Sequence, residues 1–280
     1  MSIRTNLKKV LPAISLTEQE ALDAGDVWIE SSIYRGTPDM QALRAIPKAT
    51  LSADEQAFLD GPVQELLEMV DDYELQNGDH LPQKVLDFLS VNKFFALIIP
   101  KRFGGLEFSP YANSTIVATI AVKSSAVAVT VMVPNSLGPG ELLMHYGTTE
   151  QQDHWLPNLA VGKDIPCFAL TSPEAGSDAG AIPDTGIVTK EMYNGEEVLG
   201  LSVTWDKRYI TLAPIATVLG LAFKVFDPDH LLGDKVELGI TCALIPKSHS
   251  GVELGNRHDP MGIRFYNGTT RGNKVFIPMD

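Results

Sequence analysis

The change from helix signals to strand signals near Pro166 constrains this fold more than any other feature of the sequence. Before Pro166, Thr17, Ser52 and Thr148 are each followed three residues later by Glu or Gln, the spacing of a helix capping box. After Pro166, short apolar runs rich in β-branched residues alternate with glycine, proline and aspartate, which is typical of strands joined by turns. The sequence therefore predicts a helical half followed by a small β domain.

We expect three segments in this α+β chain. They are an N-terminal extension at 1–50 with a helix around 17–30, a helical domain at 51–164, and a β domain at 165–280. The apolar segment 115–133 is interrupted by one lysine and two serines, which indicates a buried helix rather than a membrane span. The absence of an apolar leader predicts a cytoplasmic protein, with association to the inner membrane left open.

Composition excludes several classes of function. The formal net charge of −13, without a basic stripe, argues against a nucleic-acid partner. Cys167 and Cys242 lie inside apolar runs and are expected to be buried reduced thiols, and neither belongs to a set with metal-ligand spacing, so no metal is expected. His145, His154 and His258 have no nearby partner residues of a catalytic set and are expected to have surface or capping roles.

The common nucleotide and nucleophile motifs are missing. Neither GxGxxG nor GxxxxGK[ST] occurs, and both belong to alternating βαβ units rather than to a helical half followed by strands. The turn at Gly176 and Ser177 is not a nucleophile elbow, because Ala179 occupies a position that requires glycine. A nicotinamide-type Rossmann site, a P-loop and a serine hydrolase are therefore all disfavoured.

The stretch LTSPEAGSDAGAIPDTG, at 170–186, combines hydroxyls, a carboxylate and glycines in one turn. Thr171 and Ser172 offer hydroxyls, while Gly176 and Gly180 allow the main chain to approach a ligand closely. The alternative is a purely structural loop in which serine and aspartate cap each other. By itself the stretch does not decide between these two interpretations.

The stretch FALTSPEAGSDAGAI, followed about 25 residues later by KRYIT, resembles the acyl-CoA dehydrogenase family. The pattern of that family is roughly [FYC]-x-[LV]-T-E-P-x-A-G-S-D and then K-x-[WY]-I-[ST]. Two further stretches are also similar to this family, VPNSLGPGELLMHYGTTEQQDHWLPNLAVG upstream and RGNKVFIPMD downstream. The amino-acid sequence is most like that of the long bacterial FadE-type members. The resemblance covers the chain from about residue 17 onward, and it implies that the β domain is a small antiparallel β-barrel.

The resemblance also implies a flavin site. FAD would be the cofactor, with Thr171 donating toward the N1 and O2 side of the isoalloxazine and Thr211 near N5. Ser177 would contact the coenzyme A portion of the substrate. The full implied cofactor-binding set is Phe168, Ala169, Leu170, Thr171, Tyr209, Ile210 and Thr211.

Two departures from the family pattern stand beside these motifs. Ser172 replaces the usual glutamate of LTEP and removes a charge beside the flavin loop. The NG-x-K turn that normally precedes the aromatic residue is replaced by T-W-D-K, which leaves the hairpin geometry open while Lys207 is retained.

The implied reaction is α,β-dehydrogenation of fatty acyl-CoA thioesters to trans-2-enoyl-CoA, in β-oxidation. A glutamate base removes the α-proton in that family, and here it is expected beyond Asp280, so no catalytic residue is assigned and the 280 residues alone are expected to be inactive. An electron-transfer acceptor and a homo-oligomer of the complete protein are also expected. The alternatives are a non-catalytic flavin or acyl-CoA binding module, and an acyl-CoA oxidase.

Overall fold

The computed structural model describes residues 29–78, 80–136 and 138–279. The chain divides into two compact units, Met1–Ala49 and Thr50–Asp280. In the first unit, the described residues form α1 (Glu30–Tyr34) and α2 (Met40–Ala45). The predicted helix around 17–30 and its Thr17 cap lie almost entirely outside the described residues.

The second unit begins with helices, as the sequence predicts. Both remaining capping boxes are present, at Ser52 with Glu55 and at Thr148 with Gln151, and Gly147 ends the helix that precedes Thr148. The helices are α3 (Ala53–Asp60), α4 (Pro62–Met69), α5 (Asp72–Asn77), α6 (Gln83–Val91), α7 (Pro110–Lys123), α8 (Ser125–Met132), α9 (Pro139–Tyr146) and α10 (Thr149–Ala160).

The apolar segment 115–133 forms parts of two helices instead of one. Ser124 has extended backbone angles, ends α7 and caps the start of α8 through its side chain. Its hydroxyl competes for the backbone N–H groups of the following turn, which is why serine favours a helix boundary over a helix interior. The described residues contain no helix long and apolar enough to cross a membrane.

The β half is a curled half-barrel sheet. Its strands are β1 (Pro166–Ala169), β2 (Thr185–Tyr193), β3 (Glu196–Thr211), β4 (Val218–Phe226), β5 (Glu237–Pro246), β6 (Glu253–Leu254) and β7 (Asn267–Pro278). One edge of β4 pairs with β1 and then with β2, both in parallel, and the other edge pairs antiparallel with β5. Beyond β2 the order continues antiparallel through β3, β7 and β6. The predicted order of a helical half and a β half is confirmed, and the strand pairing is mixed.

Strand β3 is a single strand of 16 residues. The turn before it is Asn194–Gly195, where both residues have positive φ, as a two-residue hairpin turn requires. The T-W-D-K segment therefore lies inside β3, and the chain makes no hairpin turn at that point. Trp205 and Lys207 both point inward from this strand and are buried.

Two bulges interrupt the pairing of β3 with β7. Val203 opposes Val275 and Trp205 opposes Gly272, so β7 carries one extra residue there, near Lys274 with φ of 51°. At the second bulge, between Lys207 and Ile210, β3 carries the extra residue. The two insertions lie on opposite strands.

The helices and the sheet share one hydrophobic cluster. Phe58, Leu66 and Ile116 from the helices belong to the same buried group as Val203 and Phe223 from the strands. The second unit is therefore packed around a common core. The proposed boundary between a helical and a β domain, at 164 and 165, stays a prediction about domains, although α10 ends at Ala160 and β1 begins at Pro166.

The two cysteines differ in burial. Cys167 lies in β1 with no exposed surface, as expected, whereas Cys242 is exposed. The prediction for Cys242 was wrong because its apolar run forms β5, which pairs with β4 along one edge and has exposed residues from Glu237 to Cys242. An apolar run alone does not distinguish a central strand from an edge strand.

Candidate functional site

The loop that connects β1 with β2 is held to β3 by main-chain and side-chain bonds. The N–H of Arg208 donates to the carbonyl oxygen of Thr171 at 3.1 Å, and Ser172 and Ala175 exchange two backbone bonds that close the turn. Leu170 packs beside Ala175 and Ile182 in a small apolar cluster of its own. The loop is thus bound to β3 at Thr171, whereas its residues 176–178 are exposed.

A buried polar cluster lies under this anchor. The ammonium of Lys207, with no exposed surface, donates to Leu170 O at 2.8 Å, Ser172 Oγ at 3.1 Å and Asp184 Oδ2 at 2.5 Å. The Ser172 hydroxyl donates to the same Asp184 oxygen. The second carboxylate oxygen of Asp184, Oδ1, accepts from the N–H of Asp206 at 3.0 Å. Each member of the cluster is therefore paired, as burial of charge requires.

A bulge in β3 sets the direction of the KRYIT side chains. Lys207 opposes Thr270 and Ile210 opposes Gly268, so three steps on β3 face two on β7. Without the extra residue, alternation would turn residue 209 inward and residue 210 outward. Instead Tyr209 has φ of 57° and is 54% exposed, and Ile210 is buried.

Tyr209 is framed by two side chains. The Arg208 guanidinium lies 4.8 Å from the centre of the Tyr209 ring, and its Nη2 donates to the phenolic oxygen at 3.1 Å. The His258 ring packs edge-on at 5.6 Å, and its Nε2 lies 2.6 Å from Asn267 Oδ1. These contacts fix a ring that is still open to solvent on part of its surface.

Tyr209 borders a cavity of about 560 Å³. This size is within the range of small-molecule sites. Its two carboxylates are both in ion pairs, Asp206 with Arg271 at 3.0 Å and Asp259 with Arg264 at 2.8 Å. The lining residues are Pro173, Asp206, Arg208, Tyr209, His258, Asp259, Pro260, Thr269 and Arg271.

A second cavity of about 700 Å³ lies between the α9–α10 pair and the β4–β5 pair. Phe168 borders it and lies against Gly220, where a side chain would collide with Pro139 of α9. The walls include Leu142, Trp155 and other apolar side chains. The groove is mainly apolar and shares no lining residue with the Tyr209 cavity.

The structure brings some of the expected site residues together and separates others. Thr171 is joined to the Tyr209 bulge through Arg208, and Thr211 is half-buried at the end of β3. Phe168 borders the second cavity instead, and Ser177 is exposed in the loop and lines neither cavity. Ala169 and Ile210 are buried in the core, so at those two positions only the backbone can face a ligand.

Sequence reasoning missed Asp184, Arg208 and His258. A signal for Asp184 exists only once Lys207 is known to be buried, since a buried lysine needs a carboxylate partner and Ser172 does not supply one. His258 required tertiary information, because 49 residues separate it from Tyr209. Among the described residues, no group of three or more His, Cys, Asp or Glu could hold a metal ion.

Comparison with known families gives two matches in series. Residues 56–163 match the acyl-CoA dehydrogenase N-terminal domain, and residues 167–275 match the acyl-CoA dehydrogenase middle domain. Together the matches cover well over half of the chain, and they meet where the helices give way to the strands.

Individual relatives agree with these matches. The chain is 31% identical over 192 residues to the caffeyl-CoA reductase-Etf complex subunit CarC of Acetobacterium woodii, a match that covers 68% of this chain and 46% of that protein. It is 28% identical over 237 residues to the probable acyl-CoA dehydrogenase FadE10 of Mycobacterium tuberculosis, covering 84% and 34% respectively. The chain thus spans between a third and a half of the length of these relatives.

Solved structures show the same fold. Butyryl-CoA dehydrogenase from Megasphaera elsdenii superposes with a TM-score of 0.68 at 20% identity, over 83% of this chain and 58% of that one. The FAD complex of PigA gives a TM-score of 0.65 at 22% identity, again over 83% and 58%. At this level of identity the likeness concerns the fold alone.

Proposed function

The chain belongs to the acyl-CoA dehydrogenase family, and from that premise we propose that it provides the flavin face of an FAD-dependent oxidoreductase acting on fatty acyl-CoA thioesters. The observation that carries this proposal is the bulge in β3. It turns Tyr209 out of the sheet beside the anchored loop that carries Thr171. Bulges of this kind re-aim side chains next to active sites.

The residues around the bulge fit a flavin. An open, fixed tyrosine ring beside a cavity of about 560 Å³ suits a flat aromatic ligand. Thr171 is held by its carbonyl at the end of the loop, which leaves its hydroxyl and N–H to donate to the pyrimidine edge of the ring system. When bound, FAD supplies the hydride acceptor, and we assign Thr211 to the N5 side.

The substrate assignment rests on two further features. The exposed Ser177, beside glycine in the loop, is available to the coenzyme A portion of a thioester. The groove of about 700 Å³ bordered by Phe168 offers an apolar surface for a fatty acyl chain. We extend to the whole protein the dehydrogenation of the Cα–Cβ bond, a role in fatty acid β-oxidation, transfer of electrons to a separate acceptor and assembly as a homo-oligomer.

We assign no catalytic base among the residues that line the Tyr209 cavity. A base must be free to reach the α-proton, and both carboxylates already face a guanidinium, Asp206 that of Arg271 and Asp259 that of Arg264. We propose that the chain binds and orients, and that proton abstraction is carried out by a glutamate outside the described residues.

Flavin retention tests the proposal directly. The purified chain is mixed with FAD and desalted, and the flavin absorbance that it retains is measured. We expect retained flavin in the wild type and at least about tenfold weaker binding in Tyr209→Ala, because loss of an aromatic contact costs about 1–3 kcal/mol. Tyr73→Ala, at an 80% exposed ring on α5, is the matched control and should bind normally. A wild-type chain without flavin contradicts the proposal.

A second set of assays separates the rival activities. Oxidation of a long-chain acyl-CoA with an artificial electron acceptor identifies a dehydrogenase, and peroxide formation under oxygen identifies an oxidase. Reduction of an enoyl-CoA by a low-potential donor identifies a reductase, a candidate that the name of CarC favours. Because the base is proposed to lie outside the described residues, these assays use the complete protein, and flavin retention with no turnover in any of them then identifies a binding module.

A further inference from the structure

We propose that Asp184 and Lys207 form a buried ion pair that positions Thr171 for its ligand. The proposal starts from contacts on the two sides of that residue. Lys207 holds the carbonyl of Leu170, which precedes Thr171, and the N–H of Arg208 holds the carbonyl of Thr171 itself. Both peptide groups that flank Thr171 are thus fixed from β3.

The direction of the fixed peptide follows from its planarity. In a trans peptide the C=O and N–H point in opposite directions, so Lys207 on the Leu170 carbonyl directs the N–H of Thr171 away from the buried cluster. A positive charge 2.8 Å from that carbonyl also polarises the peptide and strengthens the N–H as a donor. This step rests on the proposed function only in naming the flavin as the group that receives the hydrogen bond.

Asp184 is what keeps Lys207 in place. Both side chains are at most 1% exposed, and burial lowers the pKa of Lys207 while the Asp184 carboxylate raises it. The carboxylate is itself held by the N–H of Asp206 and the hydroxyl of Ser172. Removal of one member of such a pair leaves an uncompensated buried charge, which is strongly unfavourable.

Asp184 supplies a carboxylate to the cluster of a chain that has serine at position 172. The family pattern has glutamate there, whereas this chain has a serine whose hydroxyl lies within hydrogen-bond distance of both Lys207 and Asp184. The carboxylate facing Lys207 thus comes from a residue 12 positions further along the chain. The cluster thus contains a carboxylate although position 172 is serine, contrary to the expectation that this departure removes the charge.

Relocation of the charge gives the test. We would compare Asp184→Ser with the double variant Ser172→Glu, Asp184→Ser, and use Asp54→Asn, in an exposed pair with Lys101 on the helical side, as the control. The first measurement is hydrogen exchange of the Arg208 amide, which reports its bond to Thr171 with no need for flavin. The second is the dissociation constant for FAD.

We expect Asp184→Ser to speed exchange at Arg208 and weaken FAD binding, each about tenfold or more, because the charge-assisted bond that holds Lys207 against the loop is lost. The double variant should recover most of both losses, a recovery that a merely structural role for Asp184 would not give. Asp54→Asn should change neither measurement.

Other outcomes overturn the proposal. Unchanged Arg208 exchange in Asp184→Ser shows that the pair does not hold the loop. A double variant that folds but has the same Arg208 exchange and FAD affinity as Asp184→Ser also contradicts the proposal. It would show that a carboxylate facing Lys207 is not sufficient to hold the loop. If Asp184→Ser does not fold, Lys207→Met with Asp184→Asn removes both charges, and wild-type exchange at Arg208 in that variant is then the contradicting result. A wild type that lacks FAD affinity contradicts the proposed function alone, since the exchange measurement still stands.

Discussion

The backbone N–H of Leu81, just before α6, donates to the phenolic oxygen of Tyr266, just before β7, at 2.8 Å. The bond joins residues 185 positions apart and connects the helices with the sheet. Both residues are buried, and burial raises the pKa of the Tyr266 hydroxyl. A hydrogen bond in such a place has no water to replace it if it is broken.

Tyr266→Phe should therefore lower the free energy of unfolding by about 1–3 kcal/mol, because the Leu81 N–H stays buried without an acceptor. Urea denaturation followed by circular dichroism measures the change. Tyr73→Phe, at an exposed ring, is the control and should shift stability by less than about 0.5 kcal/mol. Equal stabilities of the two variants would show that the bond contributes nothing.

Glu55 should make stability depend on acid pH. Burial raises the pKa of this carboxyl, but hydrogen bonds from the backbone N–H groups of Ser52 and Ser109, each at 2.7 Å, outweigh burial and lower the pKa from 4.5 to about 2. Because the folded pKa is depressed, the stabilisation is complete above pH 4.5 and is lost as the pH falls toward 2.

Glu55→Gln should consequently cost about 1–2 kcal/mol at pH 7 and progressively less below pH 4.5. Urea denaturation of both proteins at several pH values between 7 and 3 measures the difference. Glu68→Gln, at an exposed glutamate of α4, should show no such trend. A constant difference between wild type and Glu55→Gln across this range would contradict the assignment.

Gly272 should not tolerate a side chain. The Trp205 indole lies against the position that a Cβ would occupy, and Trp205 cannot move freely because its Nε1 donates to Thr270 Oγ1 at 3.1 Å. We expect Gly272→Ala to destabilise the fold by about 1–3 kcal/mol through overpacking, measured by thermal unfolding. Gly176→Ala, with nothing within 4 Å of the added atom, should leave the melting temperature nearly unchanged.

The thiols should react differently with a thiol reagent such as DTNB. Burial raises the pKa of Cys167 to about 12 and partial desolvation also raises the pKa of Cys242, but only Cys242 is exposed to the reagent. One thiol per chain should therefore react with DTNB in the native protein, and two should react in denaturant. Cys242→Ser should abolish the native reaction, and native labelling of Cys167 would contradict its burial.

The order of elements could be predicted from the sequence because it depends on local signals. Capping boxes at Ser52 and Thr148 need only side chains three residues apart, and they form as predicted. The sequence predicts one buried helix at 115–133 because most residues there are apolar. The structure has a helix boundary at Ser124 instead, where a single hydroxyl caps the second helix. The burial of Cys242 depends on which strand is an edge, and that is decided by pairing far along the chain.

The candidate site could be predicted only in part. The motifs locate Thr171 and Tyr209, but the outward direction of Tyr209 depends on a bulge that strand periodicity does not reveal. The partner of Lys207 is likewise set by tertiary packing, which brings Asp184 to it across 23 positions. Local patterns thus identify the residues, and non-local pairing decides how they are presented.

The two bulges of the β3–β7 pair compensate each other, because one adds a residue to β7 and the other adds a residue to β3. Val203 still opposes Val275 before them and Ile210 opposes Gly268 after them, so the total displacement is zero. A deletion in one strand would act like a frameshift, since every later residue would change faces. A matching deletion in the other strand would act as its suppressor, and we expect natural changes of length at these two places to occur in pairs.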